Sequence, residues 1–164
     1  MGKQHDVQII NATMQHIAPL LSRVRQADID EFYAMSMLSP REVLEKGILQ
    51  STKAWAGIID GEVITIFGVS PGSMLTGIGV PWLVGSDLLE KYQKIFLRRC
   101  RPVLNSMLAI YPELINYVDA RNHVAKGWLH WLGFKLEEAK PTGVLNYPFH
   151  RFSMRVESCV TPLH

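Results

Sequence analysis

A tight hairpin in the middle of the chain constrains the fold more than any other feature. Ala54-Trp55-Ala56-Gly57-Ile58-Ile59 and Val63-Ile64-Thr65-Ile66-Phe67-Gly68-Val69 flank Asp60-Gly61. Asp-Gly between two apolar, β-branched runs is a strong hairpin signal, because both turn residues must take positive φ. The segments before the hairpin have a different period. Val7-Gln8-Ile9-Ile10 reads as a short first strand, and Asn11-Ala12-Thr13 supplies cap chemistry for a helix carrying Ile17, Leu20, Leu21 and Val24. Pro19 makes the start of that helix irregular. A second helix covers about 28–37, with Ile29, Phe32, Tyr33 and Met37 on one side. Ser39-Pro40-Arg41-Glu42 opens a third, with Ser at the cap, Pro at the first helical position, and Leu44, Ile48 and Leu49 on the buried side.

After the hairpin, Pro71-Gly72-Ser73 predicts a turn and Gly77 to Val84 a fourth strand, in which Pro81 demands an edge or a bulge. Gly85-Ser86-Asp87 ends that strand and caps a long helix. Leu88, Leu89, Tyr92, Ile95, Phe96 and Val103 form its apolar stripe, and Pro102 kinks or ends it. Leu114 to Val118 is a fifth strand, and Asp119-Ala120-Arg121-Asn122 leads into a short helix that runs through Trp131 and stops at Gly133. Phe134 to Glu137 and Tyr147 to Val156 are the last strands, with Pro141-Thr142-Gly143 between them. No repeat, linker or composition shift divides residues 1–164, so the reading is one domain.

Composition narrows the class. Seventeen basic residues against 15 acidic leave a net charge of +2, too balanced for a dedicated nucleic-acid binder. Cys100 and Cys159 lie far apart without metal-ligand spacing and read as free thiols in a reducing compartment. The first residues hold no apolar segment of a signal peptide, and no apolar run reaches the ~18–20 residues that span a bilayer. The expectation is a protein made in the cytoplasm, with packaging elsewhere open.

The order of elements resembles the GNAT acyltransferase superfamily. Asn122-His123-Val124-Ala125 followed by Trp131-Leu132-Gly133-Phe134 carries the residue-level likeness. Each position has a physical role: Asn caps, Ala lets the helix approach the sheet, Gly takes the left-handed cap position, and Phe re-enters the core. The implied fold is a mixed α/β domain with a mostly antiparallel sheet, its fourth and fifth strands splayed apart. A narrower likeness is to the GNAT-like virion-assembly and internal virion proteins of short-tailed bacteriophages. It rests on Trp82-Leu83-Val84-Gly85-Ser86-Asp87, Asn116-Tyr117-Val118 and the stretch from Asn122 to Phe134. It implies other virion proteins as partners, a place in the host cytoplasm during assembly or in the virion, and little catalysis. The alternative is an acetyl-CoA-dependent N-acetyltransferase acting on an amine of a protein or small molecule.

A coenzyme A pyrophosphate is held by glycine-rich backbone amides between the fourth strand and the long helix. Val84, Gly85 and Ser86, with Asn122, are the cofactor-binding candidates, yet only one glycine is present and Asp87 brings a negative charge. No cofactor is therefore expected, with acetyl-CoA the one to test if the chain is active. Pro81 has no N–H to offer a thioester carbonyl, though a neighbour such as Trp82 has. The position where the resemblance places a proton donor is Leu129, so Asp119 as base and His130 as acid are the catalytic candidates. Asp60 and Glu62 are further base candidates that the hairpin turn already explains. No nucleophile triad and no metal site can be assembled.

Lys91, Lys94, Arg98 and Arg101 recur at helical spacing, with Arg99 beside them, over about 15 Å. Such a strip is either a solvated face or a docking surface for an acidic protein partner; nucleic acid is less favoured. Trp128 and Trp131, three apart, are further partner-contact candidates, with a place in the core as the alternative.

Overall fold

The hairpin forms as its residues dictate. In the computed structural model, which describes residues 4–73 and 75–156, β2 (Lys53–Ile59) and β3 (Glu62–Ser73) pair antiparallel. Asp60 and Gly61 between them take φ of 50° and 82°, the positive pair that a two-residue hairpin loop needs. β1 (Val7–Asn11) lies against β2, and β4 (Ile78–Gly85) against β3. β5 (Glu113–Asp119), β8 (Tyr147–Arg155) and β6 (Lys135–Leu136) complete the order β1-β2-β3-β4-β5-β8-β6, and β7 (Lys140–Thr142) also pairs with β8. Among the described residues every pairing is antiparallel except that of β4 with β5.

The parallel pair defines the cleft. β4 and β5 share a ladder only at Ile78–Glu113 and Gly79–Leu114, then separate. Pro81 lies beyond the last of these pairs, where β4 has become an edge and the missing N–H costs no ladder bond. Asn116 Nδ2 of β5 crosses the gap and donates to the Pro81 carbonyl at 2.6 Å.

Helices cover both faces. α1 (Ile17–Leu21) and α3 (Pro40–Gln50) bury Ile17, Leu20 and Leu44 against Ala56, Val63, Ile66 and Val84. On the other face, α5 (Gln93–Ile110) and α6 (His123–Leu132) bury Phe96, Leu104, Met107 and Trp128 against Phe67, Val69, Leu114 and Val118. α2 (Gln26–Ser36) and the short α4 (Asp87–Lys91) join these layers near the end of β4. The cap chemistry of α3 is as its sequence implies: Ser39 accepts from the Glu42 amide at 3.3 Å and Glu42 accepts from the Ser39 amide at 2.7 Å.

Several expectations are corrected. Pro71-Gly72-Ser73 is not a turn but the end of β3, and the chain reverses after it, where Gly77 takes φ 68°. The first helix starts as a 3-10 turn at Met14–His16 and stops at Leu21, with Pro19 in the first turn of α1 where its absent N–H has no partner to lose. Val24 instead bridges to Ser86. Tyr33, Met37 and Leu49 are exposed, and α2 buries Asp28 and Ala34. The long helix breaks at Tyr92, while Pro102 sits inside α5 without ending it. β7 was not expected.

Candidate functional site

α2 places Arg25, Asp28 and Glu31 at intervals of three, so they share one face of the helix and its entry. At Arg25 and Asp28 that face does not meet water, while Glu31 is half-buried. The Arg25 and Asp28 side chains are both 4% exposed and pair at 2.7 Å. Asp28 Oδ2 accepts from the Gly85 amide at 2.8 Å, and Asp28 Oδ1 accepts from Asn122 Nδ2 at 3.2 Å. Arg25 donates to Glu90 at 2.8 Å and to Asn122 Oδ1 at 3.1 Å, and its guanidinium lies 4.9 Å from the Trp128 ring centre. Burial raises the Asp28 carboxyl, opposed by Arg25 and by the Gly85 amide.

The four cofactor-binding candidates Val84, Gly85, Ser86 and Asn122 are thereby brought together, but inside the protein: all are buried. Ser86 Oγ donates to the Ile64 carbonyl at 2.6 Å and accepts from the Leu89 amide at 3.3 Å. The Asp87 amide donates to the Arg23 carbonyl at 3.2 Å, and the Leu88 amide to the Asp87 carboxylate at 3.0 Å. Two guanidiniums in this region meet four carboxylates, Arg23 with Asp87 and Glu62 and Arg25 with Asp28 and Glu90. A pyrophosphate needs free amides and a positive field. The amides of Gly85, Asp87, Leu88 and Leu89 already have partners in the chain, and the balance of charge is negative. The residues present do not fit that group.

Beyond this turn, the gap between β4 and β5 holds a cavity of about 150 Å³, lined by Pro81, Trp82, Leu83, Leu129 and Phe152 and reached by Glu31, Asn116 and Tyr117. Neither catalytic candidate lines it. Asp119 is buried and gripped by Arg121, with Nη2 to Oδ2 at 2.7 Å; His130 is exposed near the end of α6. Asp119 instead closes the turn into α6, its carboxylate accepting from the Arg121 amide at 2.9 Å. Asp60 accepts from His5 Nδ1 at 2.8 Å and the Asp6 amide at 3.0 Å, and Glu62 faces Arg23 at 3.5 Å, so both serve the edge of the hairpin.

The sequence reading singled out neither carboxyl that lines the cleft: Asp28, already paired with Arg25, and Glu31. Glu31 accepts through Oε1 from the Asp119 amide at 2.7 Å. Burial pushes it up to about 8, with the Asp28 and Asp119 carboxylates adding to the shift and the Asp119 amide opposing it. The period-three spacing of Arg25, Asp28 and Glu31 was the available signal, but polar residues on one side of a helix ordinarily mark the solvated side.

The basic strip is divided between two helices, Lys91 on α4 and Lys94, Arg98 and Arg101 on α5, and all four are exposed. Trp131 is exposed too. Trp128 is not a surface anchor: it is buried, donates to Gln93 Oε1 at 2.9 Å and packs beneath Arg25. Cys100 is buried in the core, which pushes its thiol up to about 12; Cys159 lies outside the described residues.

A hairpin-centred, mostly antiparallel sheet whose fourth and fifth strands start parallel and then part, with helices on both faces, is the fold of the GNAT acetyltransferases. The smu.2055 protein of Streptococcus mutans UA159 superposes with a TM-score of 0.69 at 14% identity, over 92% of this chain and 99% of that one. A GNAT-family acetyltransferase from Streptococcus pneumoniae gives 0.62 at 14%, over 92% and 100%. The aminoglycoside acetyltransferase AAC(6')-Ib, in complex with coenzyme A, gives 0.67 at 12%, over 92% and 95%. No family model matches the chain, and no curated protein matches it in sequence. No helix among the described residues is long and apolar enough to cross a membrane.

Proposed function

We propose that this chain uses the GNAT fold as a binding scaffold rather than for acetyl transfer. One observation carries the reading: the Gly85 amide at the end of β4 donates to the buried Asp28 carboxylate of the same chain. An anion built into the protein occupies the donor that a phosphate would use, and giving up that amide would leave Asp28 Oδ2 buried without its donor. The sequence resemblance supplies the setting. It points to assembly with other virion proteins of a short-tailed bacteriophage, in the host cytoplasm or in the particle. The test is calorimetry with acetyl-CoA at physiological salt. The expected result is no measurable heat of binding; low-micromolar affinity would overturn the reading.

A second reading, an acetyl-CoA-dependent N-acetyltransferase, is favoured by Glu31. A carboxyl pushed up to about 8 beside the cleft has the pKa of a general base working near neutrality, and solved acetyltransferases share the fold. On that reading Glu31→Gln abolishes turnover of an amine substrate with binding unchanged. Absence of acetyl-CoA binding to the unaltered protein excludes it.

A further inference from the structure

A groove of about 680 Å³ runs between α5 and α6, on the outside of the molecule, where Lys94, Leu97 and Arg98 face Val124, Gly127 and Trp131. Three independent features of it serve no contact among the described residues.

The first is charge. Lys94 and Arg98 are exposed, as are Lys91 and Arg99 beside them, and none forms an ion pair among the described residues. The acidic side chain at the end of the groove, Glu90, is already bound to Arg25 at 2.8 Å. Like charges spaced along a helix repel, so the strip is a cost to the free protein that an acidic surface would relieve.

The second is apolar surface next to that charge. Trp131 is 46% exposed and Val124 38%. Arg101 holds the Trp131 ring in place, its guanidinium 5.0 Å from the ring centre and its Nη2 donating to the Trp131 carbonyl at 3.3 Å. A rigid aromatic ring at the rim of a groove is a ready anchor for a partner side chain.

The third is Gly127. It stands exposed in the interior of α6, and a Cβ built there meets nothing within 4 Å. Glycine weakens a helix, and no turn or internal crowding requires it here. What it does provide is bare backbone on the wall of the groove, where a second backbone can come close.

We propose that this groove docks an acidic amphipathic helix of another protein. Its Leu or Phe side chains lie against Leu97, Val124 and Trp131, its carboxylates meet Lys94 and Arg98, and it crosses α6 at Gly127. The inference rests on the reading of the chain as a binding scaffold and names the partner's chemistry. Nucleic acid answers the charge but leaves the apolar wall and Gly127 unused.

The experiment is fluorescence anisotropy on the full chain with a labelled helical peptide bearing Leu and Phe on one side and Glu on its flanks. A version with Gln for Glu and a single-stranded DNA of matching length serve as comparisons. The acidic peptide is expected to bind, to weaken as salt is added, and to bind about tenfold more tightly than the Gln version. Lys94→Glu with Arg98→Glu is expected to abolish binding, and Gly127→Leu to weaken it about tenfold by filling the groove while the protein melts no lower than before. Equal binding of the Gln peptide, tighter binding of the DNA, no effect of Gly127→Leu, or no peptide binding at all each overturns the proposal. Acetyl-CoA separates the two readings. If it binds without displacing the peptide, the scaffold reading fails and the docking site stands. If it displaces the peptide, the groove is a nucleotide site and the docking proposal fails.

Discussion

The carboxylate of Asp28 and the backbone amide of Gly85 meet at 2.8 Å, joining α2 to the last residue of β4. The same carboxylate takes Arg25 at 2.7 Å and Asn122 at 3.2 Å, so one buried anion fixes the start of α2, the end of β4 and the cap of α6. These are the elements around the point where β4 and β5 part. Their relative positions are therefore set by a polar contact in which every buried side-chain N and O among the described residues has a partner.

Removing one member of that contact strands the others. Asp28→Ala leaves Arg25 buried with Glu90 as its remaining carboxylate and leaves the Gly85 amide without an acceptor. The expected loss is about 3–5 kcal/mol in urea unfolding. Arg25→Met combined with Asp28→Leu removes both charges and is expected to recover most of it, since an apolar pair of similar volume replaces a desolvated ion pair. A loss below about 1 kcal/mol for Asp28→Ala would show that water readily replaces the carboxylate.

Glu31 makes stability depend on pH in a particular direction. Its carboxyl is raised from 4.5 to about 8 in the folded protein, so the folded state holds a proton that the unfolded state releases. The stabilisation is fully present below about 4.5 and is lost as pH rises to about 8. Asp28 is shifted the same way, whereas Glu42 and Asp87 are lowered and contribute stability only above the ordinary carboxylate range. Melting temperature is therefore expected to fall between about pH 5 and 8, and Glu31→Gln, which keeps the acceptor for the Asp119 amide, to flatten that fall. An unchanged slope in Glu31→Gln refutes the assignment.

The sheet was legible because its signals are local. Asp60-Gly61 sets the central hairpin, Pro81 marks the strand edge where β5 departs, and Asn122 and Gly133 bound α6. Gly133 takes φ 99° and Phe134 is buried behind it, as the cap chemistry implies. Val84, Gly85 and Ser86 lie at the turn after β4, and the sequence already shows a single glycine there. What occupies the turn was not legible. Arg25 and Asp28 lie far from it in sequence, and nothing local distinguishes a buried ion pair from two surface charges. The same limit hid Glu31, whose surroundings come from α6 and β5.

Pro102 shows where local rules were overridden. It lies inside α5, exposed, with the helix continuing to Ile110. Packing of Phe96, Leu104 and Met107 into the core holds both halves of the helix in line despite the missing bond. Pro102→Ala restores a donor and removes the ring from the preceding turn, so it is expected to stabilise the protein by about 1–3 kcal/mol in urea unfolding. No gain would mean that the preceding turn carries its own strain.

Two glycines in helix interiors, Gly47 of α3 and Gly127 of α6, give the sharpest contrast. They look alike in sequence, and each weakens its helix by about 1 kcal/mol relative to alanine. A Cβ at Gly47 would lie 2.5 Å from Cζ2 of Trp82, whose ring is held in place by its Nε1 donating to Ser51 Oγ at 2.7 Å. Gly47→Ala must push that ring out of a hydrogen-bonded position, and the expected cost is about 1–3 kcal/mol despite the better helix propensity. At Gly127 a Cβ enters open space. Gly127→Ala is expected to raise stability by about 0.5–1 kcal/mol, because nothing among the described residues opposes the propensity gain. Urea unfolding of the two variants side by side reads the difference in sign. If Gly127→Ala also destabilises, the glycine serves the fold of α6 itself, and its place on the groove wall carries no meaning for a partner.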